Sequence, residues 1–238
     1  MKPLPFKMKQ DTEIERWRAS SFWDKEPETI AWINSFGGED VFYDIGSNIG
    51  VFALYCASRH PNSVIYAFEP HPVNYLSLVH NVERNRFKNI RPILSAIGSE
   101  LDITDFFIPN EQAGASGGQI EKNKDENGNA FLTKLKISIP ILTIDGICEV
   151  LNLKKPTHIK IDIDGQEKSV LMGMGLMLKS RAFDSLLVEV NSDLEFWLGV
   201  FLRYGYTTNN AFNNADNHSR FRRAKEGIKA ENIIFTRG

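Results

Sequence analysis

The chain has 238 residues, of which 42% are hydrophobic and 11% aromatic, enough for the core of one large α/β domain and too apolar for a largely disordered protein. Its 28 basic and 30 acidic residues leave a net charge of −2, which gives no general electrostatic footprint for nucleic acid or an anionic membrane. We therefore expect a soluble protein that does not bind nucleic acid.

The cysteines and the start of the chain bear on its compartment. Cys56 and Cys148 lie inside apolar helical patterns rather than in a spaced framework, which favours reduced thiols. No apolar run approaches the length of a transmembrane segment, and residues 1–7 lack the apolar stretch of a signal peptide. These features predict a cytoplasmic protein and leave its oligomeric state open.

Residues 11–36 show hydrophobic residues at near-helical spacing, which predicts two helices. Pro27 is tolerated in a first turn and could begin the second helix, which ends at Gly37 and Gly38. We treat residues 1–40 as an N-terminal helical segment and residues 41–238 as the main domain. The segment either packs on the domain or contacts substrate, and the sequence leaves both open.

The next stretch predicts a buried strand over residues 41–45, a tight turn over residues 46–50 and a helix over residues 51–57. Gly46 and Gly50 would let the backbone approach a ligand, and the N–H groups at the helix start suit a polar or anionic group. A second apolar strand, residues 64–68, ends at Glu69. Glu69 follows Asp44 by 25 residues, close to the roughly 20-residue offset at which an acid binds ribose hydroxyls.

The remaining chain continues the pattern of strands and helices. A helix over residues 73–85 should bury Tyr75, Leu76, Val79 and Val82. A long polar loop over residues 110–129 is either a lid or substrate loop or disordered. Further strands are expected at residues 90–98, 158–165, 183–190, 206–209 and 232–236, a hairpin at 101–109 and 132–139, and helices at 143–151, 167–178 and 194–204.

The alternation from residue 41 to residue 190 predicts an α/β fold with a mostly parallel, doubly wound sheet and helices on both faces. An inserted β-hairpin and the C-terminal strands would add antiparallel pairs. Ligands of such sheets bind beyond the carboxyl ends of the strands. That rule brings together residues 44–50, Glu69, residues 95–96, residues 162–165 and residues 189–191 as one site.

The turn does not match the common nucleotide motifs. A dehydrogenase needs Gly-x-Gly-x-x-Gly, but here Asn48 stands where the second glycine would fall and Asp44 precedes the first glycine by two positions. The Gly-x-x-x-x-Gly-Lys-Ser/Thr motif for triphosphates is absent from the sequence. An acid before the glycines suits a positively charged ligand, and S-adenosylmethionine carries an ammonium and a sulfonium.

Five blocks, at residues 22–29, 43–50, 67–70, 159–167 and 187–190, occur in an order that resembles the FkbM family of S-adenosylmethionine-dependent methyltransferases. Two positions depart from the family. Ser47 stands where alanine is common, and Gln166 stands where histidine is frequent, which leaves no histidine there to act as a base. The block at residues 22–29 looks most like members associated with bacterial surface polysaccharide.

The resemblance implies a Rossmann-like class I methyltransferase fold over residues 41–238 and methyl transfer to a hydroxyl of a sugar or polysaccharide precursor, with a small-molecule or glycan acceptor. It places the methionine part of the cofactor on the turn and the two ribose hydroxyls on the carboxylate of Glu69. Ser95 and Ala96 would flank the adenine. The implied cofactor-binding residues are Asp44, Gly46, Ser47, Asn48, Gly50, Glu69, Pro70, Ser95 and Ala96.

A hydroxyl acceptor must lose its proton as the methyl arrives, so a base is expected near the ends of the fourth and fifth strands. Asp162 is the first candidate for this base, followed by Asp164 and Glu189. Alternatively, Asp162, Glu189 and Asn191 could hold Mg²⁺, which would lower the pKa of the hydroxyl instead. His71 is a further candidate base, although it lies between two prolines and suits a turn.

Other functions stay open at this point. N-methylation of an amino sugar would need a base less, and a non-catalytic cofactor-binding subunit of a glycan assembly complex is also compatible with the motifs. The basic run at Arg220, Arg222, Arg223 and Lys225 is either a solvated face or a contact for an acidic sugar.

Overall fold

The predicted turn follows an inner strand of a seven-stranded sheet. The structure is a computed structural model and describes residues 2–125, 128–190, 193–213 and 231–238. The strands are β1 (Val41–Ile45), β2 (Val64–Phe68), β3 (Ile90–Ile93), β4 (Ala96–Ile97), β5 (Asp102–Ile108), β6 (Gln119–Ile120), β7 (Leu135–Leu142), β8 (His158–Ile161), β9 (Ser185–Val190), β10 (Tyr206–Thr208) and β11 (Glu231–Arg237). The helices are α1 (Glu13–Lys25), α2 (Pro27–Asn34), α3 (Val51–Arg59), α4 (Pro72–Asn85), α5 (Ile144–Val150), α6 (Glu167–Met172), α7 (Gly175–Lys179) and α8 (Leu194–Arg203).

The main sheet has the strand order β10-β11-β9-β8-β1-β2-β3. Its neighbours pair in parallel except that β11 runs antiparallel to both β9 and β10. The chain order therefore reverses between β1 and β8, and a crevice is expected at that switch point. The predicted α/β class with a mostly parallel, doubly wound sheet and an antiparallel C-terminal strand is confirmed.

Side chains of β1 alternate between the two faces of this sheet, as its period of two requires. Tyr43 and Ile45 point into a core shared with α5 to α8, whereas Phe42 points into a core shared with α1 to α4. Asp44 faces the same side as Phe42 by this alternation. Helices thus cover both faces, and the carboxyl edge of the parallel strands stays open for a ligand.

The predicted hairpin is confirmed as an antiparallel pair of β5 and β7, but it belongs to a second sheet with the order β4-β7-β5-β6. The single strand expected over residues 90–98 is divided between the two sheets. Its division follows from the carbonyl oxygen of Ile93, which accepts the N–H groups of both Glu69 and Ser95 and ends the pairing with β2.

The buried face of α4 differs in part from the prediction, although Val82 is buried as predicted. Leu76 is 53% exposed, and the inward residues include Asn74, Ser77 and Asn81 beside Leu78. The polar groups are satisfied: the Asn81 amide donates to the Ile49 carbonyl, and the Ser77 hydroxyl donates to Glu15 on α1. Hydrophobic periodicity could not find this face because its partners are backbone groups and an acid.

Several polar contacts hold the N-terminal segment on the domain, and two of them involve buried acids. Thr12 and Glu15 form a capping box at the start of α1, and Glu15 also accepts the bond from α4. Glu26 and Glu28 flank the start of α2, and both accept hydrogen bonds from the side-chain amide of Asn232 on β11. Among the helices of the described residues, none has the length and apolar character needed to cross a membrane.

Candidate functional site

One open cavity, with about 700 Å³ of free space including its mouth, lies at the carboxyl edge of the main sheet. It brings together residues that are far apart in the sequence, as the topological rule predicts. Seven of the predicted site residues line it: Gly46, Asn48, Glu69, Pro70, Asp162, Asp164 and Glu189.

The turn after β1 is shaped by contacts within the protein. Gly46 has a φ of +78°, and a Cβ there would lie 1.9 Å from the backbone oxygen of Asp162. Gly50 has a φ of +88°, and its Cβ would lie 2.3 Å from Leu78. These glycines therefore allow β1 to approach the end of β8 and α3 to approach α4. Gly46 also lines the cavity, and the expectation that these glycines let the backbone approach a ligand stays a prediction.

Asp44 lies beneath the cavity wall rather than on it. The residue is 1% exposed, and neither carboxylate oxygen has a hydrogen-bond partner among the described residues. Burial raises its pKa from 3.8 to about 6, although Lys160 and the backbone N–H of Ala53 favour the charged form. Asp44 is not among the residues that line the cavity, so its contact with the cofactor stays a prediction.

Lys160 is the cation that faces Asp44. Its side chain is almost fully buried, and its ammonium donates to Asp162 at 2.6 Å. Burial alone would lower the pKa of Lys160, but Asp162, Glu26 and Asp44 together raise it above its ordinary value. The ammonium therefore stays charged and fixes one oxygen of Asp162.

The carboxylate of Glu69 is 5% exposed and lies at the end of β2. Its two oxygens accept the backbone N–H groups of Asn48 at 2.7 Å and of His71 at 2.9 Å. Burial raises its pKa to about 7 despite these bonds. The side chain of Asn74 also favours the charged form, and the lone pair that remains on the carboxylate can accept a hydroxyl donor from a ligand.

A second, more apolar pocket adjoins the cavity on the other side of Gly46 and Pro70. Ser95 and Ala96 line it with Phe106 and Ile163. The hydroxyl of Ser95 is buried without a hydrogen-bond partner in the described part of the chain. Apolar walls with one free hydroxyl suit a heterocycle with polar edges.

The candidate bases occupy different environments. Asp162 is 23% exposed at its side chain and is oriented by Lys160. Asp164 has a φ of +56° and accepts the backbone N–H of Gly117 at 2.8 Å, and burial raises its pKa. Glu189 lines the same cavity but is 8% exposed. Asp162 is therefore the acid best placed to meet a substrate.

The proposed metal set is incomplete in the described structure. Asn191 and the basic run with Arg220, Arg222, Arg223 and Lys225 lie outside the described residues. Within those that are described, no three His, Cys, Asp or Glu side chains converge as they would around a metal ion. The Mg²⁺ interpretation therefore gains no support from the described side chains.

His71 lines the cavity, but both ring nitrogens are engaged. Nδ1 accepts the backbone N–H of Val73 at the start of α4, and Nε2 lies 3.0 Å from the carbonyl oxygen of Asn110. Since a carbonyl can only accept, Nε2 carries the proton. Burial lowers the pKa of His71, so the ring is a neutral helix cap.

Sequence reasoning missed several residues of the cavity wall. Arg18 and Lys25 of α1 and Asn74 of α4 line it, together with the backbone of residues 115–118. Lys25 falls within the block at residues 22–29, which was the one signal available for this wall. Arg18 and Asn74 reach the cavity only through long-range packing.

Residues 113–118, which we call the clasp, run across the cavity and are held from three sides. Asn74 accepts the Gly114 N–H and donates to the Ala115 carbonyl, which also accepts the Asn48 side chain. Thr12 and Arg18 of α1 donate to the carbonyls of Ala113 and Gly114. The part of the long loop nearest the cavity is therefore ordered against it.

Comparison with known proteins agrees with this geometry. A family model described as "Methyltransferase FkbM domain" matches residues 44–208. The 31-O-demethyl-FK506 methyltransferase FkbM of Streptomyces tacrolimicus is 45% identical over 57% of this chain and 59% of its own length. Hexuronic acid methyltransferase AglP of Haloferax volcanii is 26% identical over 76% of this chain and 68% of its own length.

A third relative, Methyltransferase 1 of Beauveria bassiana, is 28% identical over 58% of this chain and 60% of its own length. The chain thus spans about 60% of the length of two of these relatives and slightly more of the third.

Proposed function

The chain belongs to the FkbM methyltransferase family, and on that premise we propose that it transfers a methyl group from S-adenosylmethionine to a hydroxyl of a sugar or polysaccharide precursor. The observation that carries the proposal is the shared cavity. It joins the turn after β1, the acid at the end of β2 and the acids after β8 and β9.

The residues present fit S-adenosylmethionine. Glu69 offers its carboxylate to the ribose hydroxyls, and the apolar pocket with Ser95 and Ala96 offers apolar walls and a free hydroxyl to the adenine. Acids along the floor, among them Asp162, suit a ligand with a sulfonium and an ammonium. When bound, this cofactor supplies a methyl group on a positively charged sulfur, already activated for transfer.

The protein's own contribution is alignment and proton removal. Placing the acceptor hydroxyl in line with the methyl supplies much of the rate. Asp162 accepts the hydroxyl proton as the new bond forms, and Lys160 holds its carboxylate toward the cavity. Asp164 anchors the clasp through Gly117 and limits the access of water to the reacting groups.

The relatives support an oxygen acceptor on a sugar. The protein from Haloferax volcanii carries the name hexuronic acid methyltransferase, and the protein from Streptomyces tacrolimicus is named for a 31-O-demethyl substrate. We also propose that residues 1–40 form a wall of the methyltransferase domain at 41–238, because Arg18 and Lys25 line its cavity.

Calorimetry with S-adenosylmethionine and S-adenosylhomocysteine tests the cofactor. We expect both to bind wild type, and Glu69→Gln to weaken both. Lack of binding to either by folded wild-type protein would show the cofactor assignment to be wrong.

Asp162→Asn tests the base, with a panel of sugars and polysaccharide precursors as acceptors. We expect its turnover to fall roughly 10²- to 10⁴-fold while its affinity for S-adenosylhomocysteine stays close to that of wild type. Asp102→Asn, an exposed acid on β5, is the control and should keep full activity. Full turnover by Asp162→Asn would exclude Asp162 as the base.

A further inference from the structure

More acidic than basic side chains line the cavity. Four acids face it, namely Glu69, Asp162, Asp164 and Glu189, whereas the lysine and arginine side chains among its lining residues are Arg18 and Lys25. Both of these cations come from α1. A ligand with a negatively charged group therefore has one wall of this cavity on which it can be paired.

Arg18 is well prepared to bind an anion. Its Nε donates to the Gly114 carbonyl at 2.7 Å, which fixes the plane of the guanidinium and leaves its terminal nitrogens for a ligand. Within the described chain we find no salt bridge that uses them. Burial raises the pKa of Glu69 and of Asp164, and the charge of Arg18 offsets part of that rise. The guanidinium thus lines the same cavity as these two acids.

Lys25 lies seven residues further along α1, two helical turns away on the same face. Its ammonium donates to Glu26 at 2.6 Å, and about a third of its side chain is exposed. Arg18 and Lys25 also line a smaller adjoining pocket together with Val51 and Phe52, the first residues of α3. No side chain caps that helix start. The backbone at the beginning of a helix adds partial positive charge to the same small space.

We propose that Arg18 and Lys25 form a carboxylate-binding pair, with Arg18 as the principal donor through a two-pronged contact. The inference rests on the proposed function and extends it to a specific ligand group. Carboxylate geometry matches the planar fork of arginine, which favours it over a neutral hydroxyl. Two sources supply this chemistry: the amino-acid end of S-adenosylmethionine, or an acidic sugar acceptor.

The first arm of the test measures affinity by calorimetry for S-adenosylmethionine and for decarboxylated S-adenosylmethionine, which lacks only the carboxylate. If the cofactor is the source, Arg18→Gln loses roughly 10- to 100-fold in affinity for the former, as expected for a lost charge-assisted pair, and little for the latter. Arg16→Gln is the matched control, since Arg16 is an exposed arginine of the same helix that contacts only the carbonyls of Gln10 and Asp11 among the described residues.

The second arm titrates protein saturated with S-adenosylhomocysteine with glucuronic acid and with glucose. If the acceptor is the source, wild type prefers glucuronic acid and Arg18→Gln loses that preference, whereas Lys25→Gln shows a smaller loss. Melting temperatures of the variants close to that of wild type exclude a general loss of structure.

The proposal is overturned if neither arm shows carboxylate-dependent binding in wild type, or if Arg18→Gln and Arg16→Gln behave alike in both. These outcomes leave the proposed function intact as long as wild type binds S-adenosylhomocysteine. Failure of wild type to bind either form of the cofactor contradicts the proposed function itself.

Discussion

Replacing Lys160 with methionine should lower the free energy of unfolding by about 3–5 kcal/mol at pH 7, because three acids lose a buried cation. Asp44 shows how large the effect is. Its pKa of about 6, against 3.8 in the absence of burial, already corresponds to roughly 3 kcal/mol of cost for the charged form with Lys160 beside it. Without the ammonium this cost rises, and Asp44 takes up a proton nearer neutral pH.

The pH dependence has a definite sign. A carboxylate whose folded pKa lies above its unfolded pKa binds protons more tightly in the folded state, so stability rises as the pH falls through the folded pKa. In Lys160→Met this gain should begin at a higher pH than in wild type. Urea unfolding between pH 5 and pH 8 measures it.

A double-mutant cycle with Asp44→Asn separates the charge effect from lost packing. In the Lys160→Met background, Asp44→Asn should restore roughly 1 kcal/mol or more of the free energy of unfolding, and in wild type much less. Lys168→Met is the surface control, since its pair with Asp193 is more than half exposed on both sides and should contribute less than about 1 kcal/mol. Equal effects of Asp44→Asn in both backgrounds would refute the reasoning.

Three further changes test other parts of the structure. Gly46→Ala should lower the free energy of unfolding by about 3–5 kcal/mol, because φ is positive and the new Cβ would clash with Asp162. Gly38→Ala is the control and should cost about 1–2 kcal/mol, since φ there is +97° but nothing lies within 4 Å. Equal costs in urea unfolding would contradict the contact with Asp162. Burial lowers the pKa of His158. The protein should therefore lose stability as the pH falls below about 6.5, because His158 then binds a proton more readily in the unfolded chain than in the folded one. The stability difference between wild type and His158→Gln should therefore change with pH, and a constant difference would exclude this role. Asn74→Ala should lower the free energy of unfolding by about 1–3 kcal/mol and make the clasp more sensitive to limited proteolysis. Asn85→Ala on the same helix is the control, and equal cleavage rates of the two variants would refute the role of Asn74 as an anchor of the clasp.

Much of the fold was open to prediction because its signals are local. Runs of β-prone residues alternate with helical patterns from residue 41 to residue 190, and the parallel sheet follows from that alternation. The topological rule then joined Glu69, Asp162 and Glu189 at one edge without any contact information.

The rest depended on partners that the sequence does not specify. The inner face of α4 is polar because α1 and the clasp supply the hydrogen bonds of Ser77 and Asn74. Arg18 reaches the cavity because Gly114 fits against Ile14, where a Cβ would lie 2.9 Å away. These contacts join residues 40, 62 and 96 positions apart, and no periodic pattern in either segment encodes them.

The contact between Asn232 and the pair of Glu26 and Glu28 has a consequence for how the molecule forms. The two sides of this contact are separated by more than 200 positions, so closing it carries a high entropic cost. During synthesis α2 emerges long before β11, and its buried acids meet their amide partner only when that strand has been added to the sheet. We therefore expect the polar contact between α2 and β11 to be completed late, because contacts of such large sequence separation form slowly.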